Sequence, residues 1–75
     1  MISKLEQNKI RYAVACINEF AASKSLTKTQ AFTYLNEHKA LEFLDEFYDV
    51  EHTLSFQETI ADLTTVSQKN GGKIA

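Results

Sequence analysis

Residues that end helices are missing from almost the whole chain. The 75 residues include no proline, and the only two glycines, Gly71 and Gly72, stand near the C-terminus. Glycine and proline are the residues that most often mark turns and interrupt helices. Residues 1–70 are therefore expected to form helices joined by short connections, and a chain of this length allows one domain.

Apolar periodicity and capping signals divide the chain into four predicted helices. Thr27 and Gln30 form one capping box, and Ser55 and Glu58 form a second. The helices are predicted over about 3–23, from Thr27 to about 36–39, over about 40–49, and from Ser55 to Asn70. We predict an all-α fold, a small bundle of about four helices with a long central N-terminal helix. Residues 1–75 form its single domain, and 71–75 are a frayed tail.

The apolar sector of the first helix is too wide for one neighbouring helix to cover. Its predicted core face comprises Ile10, Ala13, Val14, Ile17, Phe20 and Ala21. Within that face Ile17 is predicted to be central, while Leu5, Tyr12 and Cys16 lie beside it. Either the other helices cover all of these side chains, or the Leu5–Tyr12–Cys16 strip contacts a second copy or another protein. We favour the second outcome, with a homodimer as one form of it.

Negative charge is concentrated in the middle of the chain. Residues 31–63 carry eight acidic side chains against one basic side chain, Lys39. Four of the acids follow an i, i+3, i+4, i+7 spacing on the third helix, which places Glu42, Asp45, Glu46 and Asp49 on one side. This side is interpreted as a solvated face or, alternatively, as a docking surface for a basic protein. The acidic middle argues against nucleic acid, whose phosphates need clustered Lys and Arg.

The sequence contains no recognisable catalytic or metal-binding pattern. Its one cysteine, Cys16, is predicted to be a buried thiol, and the two histidines, His38 and His52, are isolated. His52 is interpreted as a hydrogen-bonding residue in a tight connection or as a polar contact at a binding surface. We expect no cofactor, no metal and no enzymatic activity. A small enzyme that uses Tyr48 and His52 is the weakest alternative.

One stretch of the sequence resembles a known family. It comprises the run Phe47-Tyr48-Asp49-Val50-Glu51-His52-Thr53 and the later run Ile60-Ala61-Asp62-Leu63. With upstream pieces around Phe20 and Leu35, the stretch is similar to a family of very short bacterial proteins grouped as a domain of unknown function. Members of that family are often encoded beside proteins that resemble ADP-ribosyltransferase toxins. The resemblance covers about residues 10–72 and implies an accessory or antitoxin-like role, with Tyr48, His52 and Asp62 as the polar members of the motif.

These observations together favour a non-enzymatic protein-interaction module. A small DNA-binding or regulatory helical protein is the alternative, and its support is the basic first third of the chain, where five basic side chains face two acidic ones. The longest apolar run, from Ala13 to Ile17, is too short to cross a bilayer. We therefore expect no membrane partner and a cytoplasmic location.

Overall fold

Helices account for all regular structure in residues 1–73, the part of the chain that the computed structural model describes. They are α1 (Lys4–Lys24), α2 (Lys28–Glu37), α3 (Ala40–Glu46), α4 (Tyr48–Glu51) and α5 (Phe56–Lys69). The 21-residue α1 packs against α2, α3 and α5 in a molecule of 36 × 22 × 21 Å. The all-α fold with a long central N-terminal helix is confirmed. None of the helices within residues 1–73 has the length and apolar character to cross a bilayer.

Three helices begin at side-chain caps. Ser3, Thr27 and Ser55 each accept a hydrogen bond from the backbone N–H three residues later, at 3.1 Å. Gln30 returns a contact of 2.9 Å to the N–H of Thr27, so the predicted capping box of α2 is complete. A cap of this kind stabilises a helix by about 1 kcal/mol.

The predicted third helix is two helices. At Phe47 the backbone leaves the helical conformation, with φ −105° and ψ 22°, and this residue ends α3 and precedes α4. The Phe47 carbonyl then accepts from the N–H of Glu51 at 2.9 Å, which closes the short α4. Because the chain changes direction here, Tyr48 contacts Tyr12 of α1 and Glu51 becomes buried.

Eight side chains form the apolar core. Phe20 of α1 is the largest fully buried side chain, and three alanines allow the helices to approach closely. The full set is Cys16, Phe20, Ala21, Ala31, Leu35, Ala40, Leu44 and Leu63. On α5 the buried residues are Thr59, Leu63 and Ser67, at a spacing of four. Phe56, the first residue of α5, is 41% exposed.

The core face of α1 is rotated from the predicted one. Cys16 and Phe20 are fully buried, whereas Ile10 and Val14 are 53% and 51% exposed. Ile17 is only half-buried and is not the centre of the core. The rotation arises because α5 packs on the Tyr12 side of α1 and supplies polar partners there, while α2 and α3 leave the Ile10–Val14 side partly open.

The predicted Leu5–Tyr12–Cys16 surface strip is therefore wrong. Cys16 has no exposed area, and the Tyr12 hydroxyl is hydrogen-bonded inside the bundle. Only Leu5, at 51% exposed, lies at the surface. A contact with a second copy through this strip would require the bundle to open.

The chain turns at its glycines as predicted. Asn70 caps α5, Gly71 has φ +90°, and the N–H of Gly72 donates to the Ser67 carbonyl at 2.8 Å. An added Cβ at Gly72 would overlap the Tyr34 hydroxyl, so this position requires glycine. Gly71 and Gly72 therefore form a turn after α5, and residues 74–75 of the predicted tail lie outside the described residues.

We predict that Phe20→Ala lowers the free energy of unfolding by about 3–5 kcal/mol, because it leaves a cavity in the centre of the core. A domain of this size has only about 3–5 kcal/mol of stability, so the variant should be largely unfolded at 25 °C. Val14→Ala is the matched control on the same helix and should cost less than about 1 kcal/mol. Urea denaturation followed by circular dichroism measures both. Equal losses in the two variants would contradict the observed rotation of α1.

Candidate functional site

Four carboxylates form an acidic surface. Glu42, Asp45 and Glu46 of α3 and Asp49 of α4 are all exposed, which confirms their predicted exposure. Because the chain bends at Phe47, Asp49 belongs to a different helix from the other three. Asp45 forms an ion pair with Lys9 of α1 at 3.4 Å, and such an exposed pair contributes at most about 1 kcal/mol.

Apolar side chains remain exposed along α1 and α2. Ile10, Val14 and Phe32, which we call the apolar strip, are 53%, 51% and 48% exposed. Val14 and Phe32 line a groove of about 330 Å³ between the two helices, with Ile17 at its base. Contiguous exposed apolar surface on a small protein is typical of interaction sites.

The apolar strip borders the acidic surface. Ile10 lines a second groove, of about 140 Å³, together with Leu41 and Asp45 of α3. Because Ile10 and Val14 are four residues apart, they lie on one face of α1 and the two grooves follow each other along it. Asp45 thus places negative charge beside the apolar strip.

Tyr48 and His52 form a stacked pair. Their ring centroids are 4.4 Å apart with an angle of 6° between the planes, and His52 Nδ1 lies 2.6 Å from the Tyr48 carbonyl oxygen. A carbonyl oxygen only accepts, so Nδ1 carries the proton in this contact. His52 therefore hydrogen-bonds within the turn after α4, as one of its two predicted roles requires, and it remains exposed.

The remaining member of the motif lies elsewhere. Asp62 is half-buried on α5 and its side chain faces Glu51 of α4. Tyr12 connects the two groups, because its ring meets the Tyr48 ring edge-on at 5.6 Å and its hydroxyl reaches Glu51. Tyr48 and His52 thus belong to α4 and its C-terminal cap, Asp62 belongs to α5, and the three residues do not form one constellation.

A polar cluster lies at the junction of α1, α4 and α5, and sequence reasoning missed it. Tyr12 Oη donates to the Glu51 carbonyl oxygen at 2.8 Å. Thr59 Oγ1 lies 3.1 Å from Tyr12 Oη and 3.3 Å from the same carbonyl. Glu51 itself is only 4% exposed, although in the sequence nothing distinguishes it from the other acidic residues of 31–63. The sequence signal that could have revealed the cluster is the four-residue spacing of Tyr12, Cys16 and Phe20. This spacing places Tyr12 on the inward face of α1.

Burial dominates the electrostatics of this cluster. It raises the pKa of the Glu51 carboxyl to about 7, and the nearby Asp62 carboxyl adds to this rise. It also raises the pKa of Tyr12 to about 12 and that of the Cys16 thiol to about 11. Since the thiolate is the reactive form of cysteine, Cys16 is chemically inert at neutral pH.

Within residues 1–73, no three His, Cys, Asp or Glu side chains come close enough together to hold a metal ion. The polar cluster contains only two carboxyl groups, Glu51 and Asp62, and its hydroxyls are hydrogen-bonded to each other and to backbone. Its arrangement fixes the position of α4 relative to α1 and α5.

Comparison with known proteins gives one match. The model of a family described as "Protein of unknown function (DUF3791)" matches residues 11–70. No curated protein and no solved structure matches the chain. The matched range includes the acidic surface, the polar cluster and most of the apolar strip.

We predict that Tyr12→Phe lowers the free energy of unfolding by about 0.5–1.5 kcal/mol, because it removes the hydrogen bond to Glu51. Tyr34→Phe is the matched control, since the Tyr34 hydroxyl is buried without a hydrogen-bond partner among residues 1–73. Its removal should leave stability unchanged or slightly increased. Urea denaturation of both variants tests the pair. A larger loss for Tyr34→Phe than for Tyr12→Phe would contradict this assignment of the two hydroxyls.

Proposed function

The chain belongs to the DUF3791 family of unknown function, and from that premise we propose that it is a non-enzymatic protein-interaction module. The proposed partner is a protein segment with an apolar face and basic side chains. One observation carries this proposal: the half-exposed apolar strip borders the acidic surface.

The apolar strip supplies the proposed binding energy. Ile10, Val14 and Phe32 each keep about half of their area in water, and covering apolar surface contributes about 25 cal/mol per Å². The groove between α1 and α2 is open to solvent, and its volume of about 330 Å³ offers room for apolar side chains from one face of a helix. A partner helix laid into a groove is a common mode of recognition.

The acidic surface supplies the proposed specificity. Of its four carboxylates only Asp45 has an ion-pair partner within residues 1–73, so Glu42, Glu46 and Asp49 stay available to basic groups. Complementary charge speeds association and selects among partners more than it adds affinity. The same charge repels nucleic acid phosphates.

The partner is further proposed to be the product of a neighbouring gene in a bacterial genome, with this chain as an accessory or antitoxin-like protein in the cytoplasm. The support is the resemblance of the Phe47–Thr53 stretch to short proteins that are often encoded beside toxin-like proteins. A basic segment on such a neighbour would match the acidic surface.

DNA binding is the competing function, and the side chains that would support it are partly engaged. Lys9 pairs with Asp45, and the Lys24 ammonium lies 5.9 Å from the centre of the Phe20 ring. Two of the five basic side chains in residues 1–30 are thus engaged within the bundle.

We predict that the purified chain binds its neighbouring-gene product and that the double variant Val14→Asp/Phe32→Asp weakens this binding at least about tenfold. Neutralising the acidic surface with Glu42→Gln, Asp45→Asn, Glu46→Gln and Asp49→Asn should keep the fold and reduce mainly the association rate. Gln68→Asp, on an exposed position of α5, is the control and should bind like the parent. Isothermal titration calorimetry measures the affinity, and stopped-flow kinetics measures the association rate.

Binding that is unchanged in both the double and the quadruple variant would reject this surface. No binding to the neighbouring-gene product would reject the antitoxin-like role. An electrophoretic mobility assay with duplex DNA completes the test, because a shift at micromolar protein would favour the DNA-binding alternative.

A further inference from the structure

The four-residue α4 depends on a buried acid for its place in the bundle. Glu51 is 4% exposed, and its carboxyl Oε1 is buried without a hydrogen-bond partner among residues 1–73. Tyr12 and Thr59 bond to the Glu51 backbone carbonyl and leave Oε1 of the carboxyl group unsatisfied. An ionised carboxylate in such a position is costly, because burial removes the water that would stabilise the charge.

The groups that face Glu51 give it no positive partner. From α5, the Asp62 and Glu58 carboxyl groups lie near Glu51, and both raise its pKa further. From α1, Tyr12 and Cys16 stay neutral near pH 7, since burial raises the pKa of both. Lys9, which lies over the Tyr48 ring, pairs with Asp45 of α3 and not with Glu51.

We propose that the buried Glu51 carboxyl is a pH-sensitive group that holds α4 against α1 and α5 while it keeps its proton and lets α4 detach when the proton leaves. This proposal goes beyond partner binding and does not depend on it. Detachment would uncover Tyr12 and would move Asp49, Tyr48 and His52 away from their places at the surface.

The direction of the pH effect follows from the two states of α4. With α4 attached, burial and the Asp62 carboxyl raise the pKa of Glu51 to about 7, whereas an exposed glutamate has its ordinary pKa of 4.5. The attached state thus binds the proton more tightly. Its advantage is complete below about pH 4.5, declines as the pH rises, and is gone above about pH 7. Across this window the detached fraction should increase on the order of a hundredfold.

Amide hydrogen exchange of the isolated protein tests the proposal. The N–H groups of Glu51 and His52 are bonded to the carbonyls of Phe47 and Tyr48, so they report on α4. After correction for intrinsic exchange, their protection should fall on the order of a hundredfold between pH 5 and pH 8. The amide of Leu63, in the middle of α5, should change much less and serves as the internal control.

Two variants and one control distinguish pH-dependent detachment of α4 from a general loss of stability of the bundle. Glu51→Gln cannot ionise and should remove the pH dependence of α4 protection. Asp62→Asn should move the transition to lower pH, because it removes the neighbouring negative charge. Glu37→Gln, at an exposed carboxyl of α2 outside the acidic surface, should behave as the parent.

Parent-like pH dependence in Glu51→Gln would overturn the proposal. If that variant does not fold, the Glu51 side-chain carbon is titrated by NMR in the unmodified protein. A midpoint near pH 7 supports the proposal, and a midpoint near 4.5 overturns it. Neither result involves a binding partner, so failure here is distinct from failure of the proposed interaction.

Discussion

The hydrogen bond from Tyr12 to the Glu51 carbonyl determines how the helices are arranged. A buried phenol without an acceptor costs about 1–3 kcal/mol, so the carbonyl that α4 brings to Tyr12 favours its inward position on α1. The carbonyl reaches Tyr12 because the chain bends at Phe47. With Tyr12 inside, Ile10 and Val14 on the other side of α1 stay half-exposed. The apolar strip and the buried Glu51 side chain thus both follow from one contact.

The parts of the fold that the sequence predicted are those with local causes. The caps at Thr27 and Ser55 and the helix end at Asn70 act within a few residues, and each lies where it was predicted. Of the two predicted capping boxes, the one at Thr27 is complete, whereas Ser55 caps α5 by accepting from the Glu58 N–H without the reciprocal bond among residues 1–73. The rotation of α1 has a distant cause, because its partners Glu51 and Thr59 are 39 and 47 residues away from Tyr12 in sequence. Periodicity alone ranks Tyr12 below isoleucine and valine as a core residue, and this explains the error.

The candidate functional site also has some features that local sequence patterns predicted and others that depend on distant contacts. Exposure of the acidic surface could be predicted, since charged residues are rarely buried and the spacing is local. That rule failed at Glu51, whose burial needs three helices in place at once. The family motif directed attention to residues 47–53, but it could not show that Tyr48 and His52 stack on each other while Asp62 turns to Glu51. The separate positions of these residues depend on the bend at Phe47, and the charge pattern does not predict that bend.

Cys16 is a natural chemical probe of the opening of this bundle. It is the only thiol in the chain, it has no exposed area, and it lies beside Tyr12. A thiol reagent can reach it only after neighbouring helices separate, so the labelling rate reports on opening: on its frequency when labelling outpaces reclosing, and on the population of the open state otherwise. No cysteine has to be introduced and none removed, which makes the natural chain ready for kinetic and mass-spectrometric measurement of its motions.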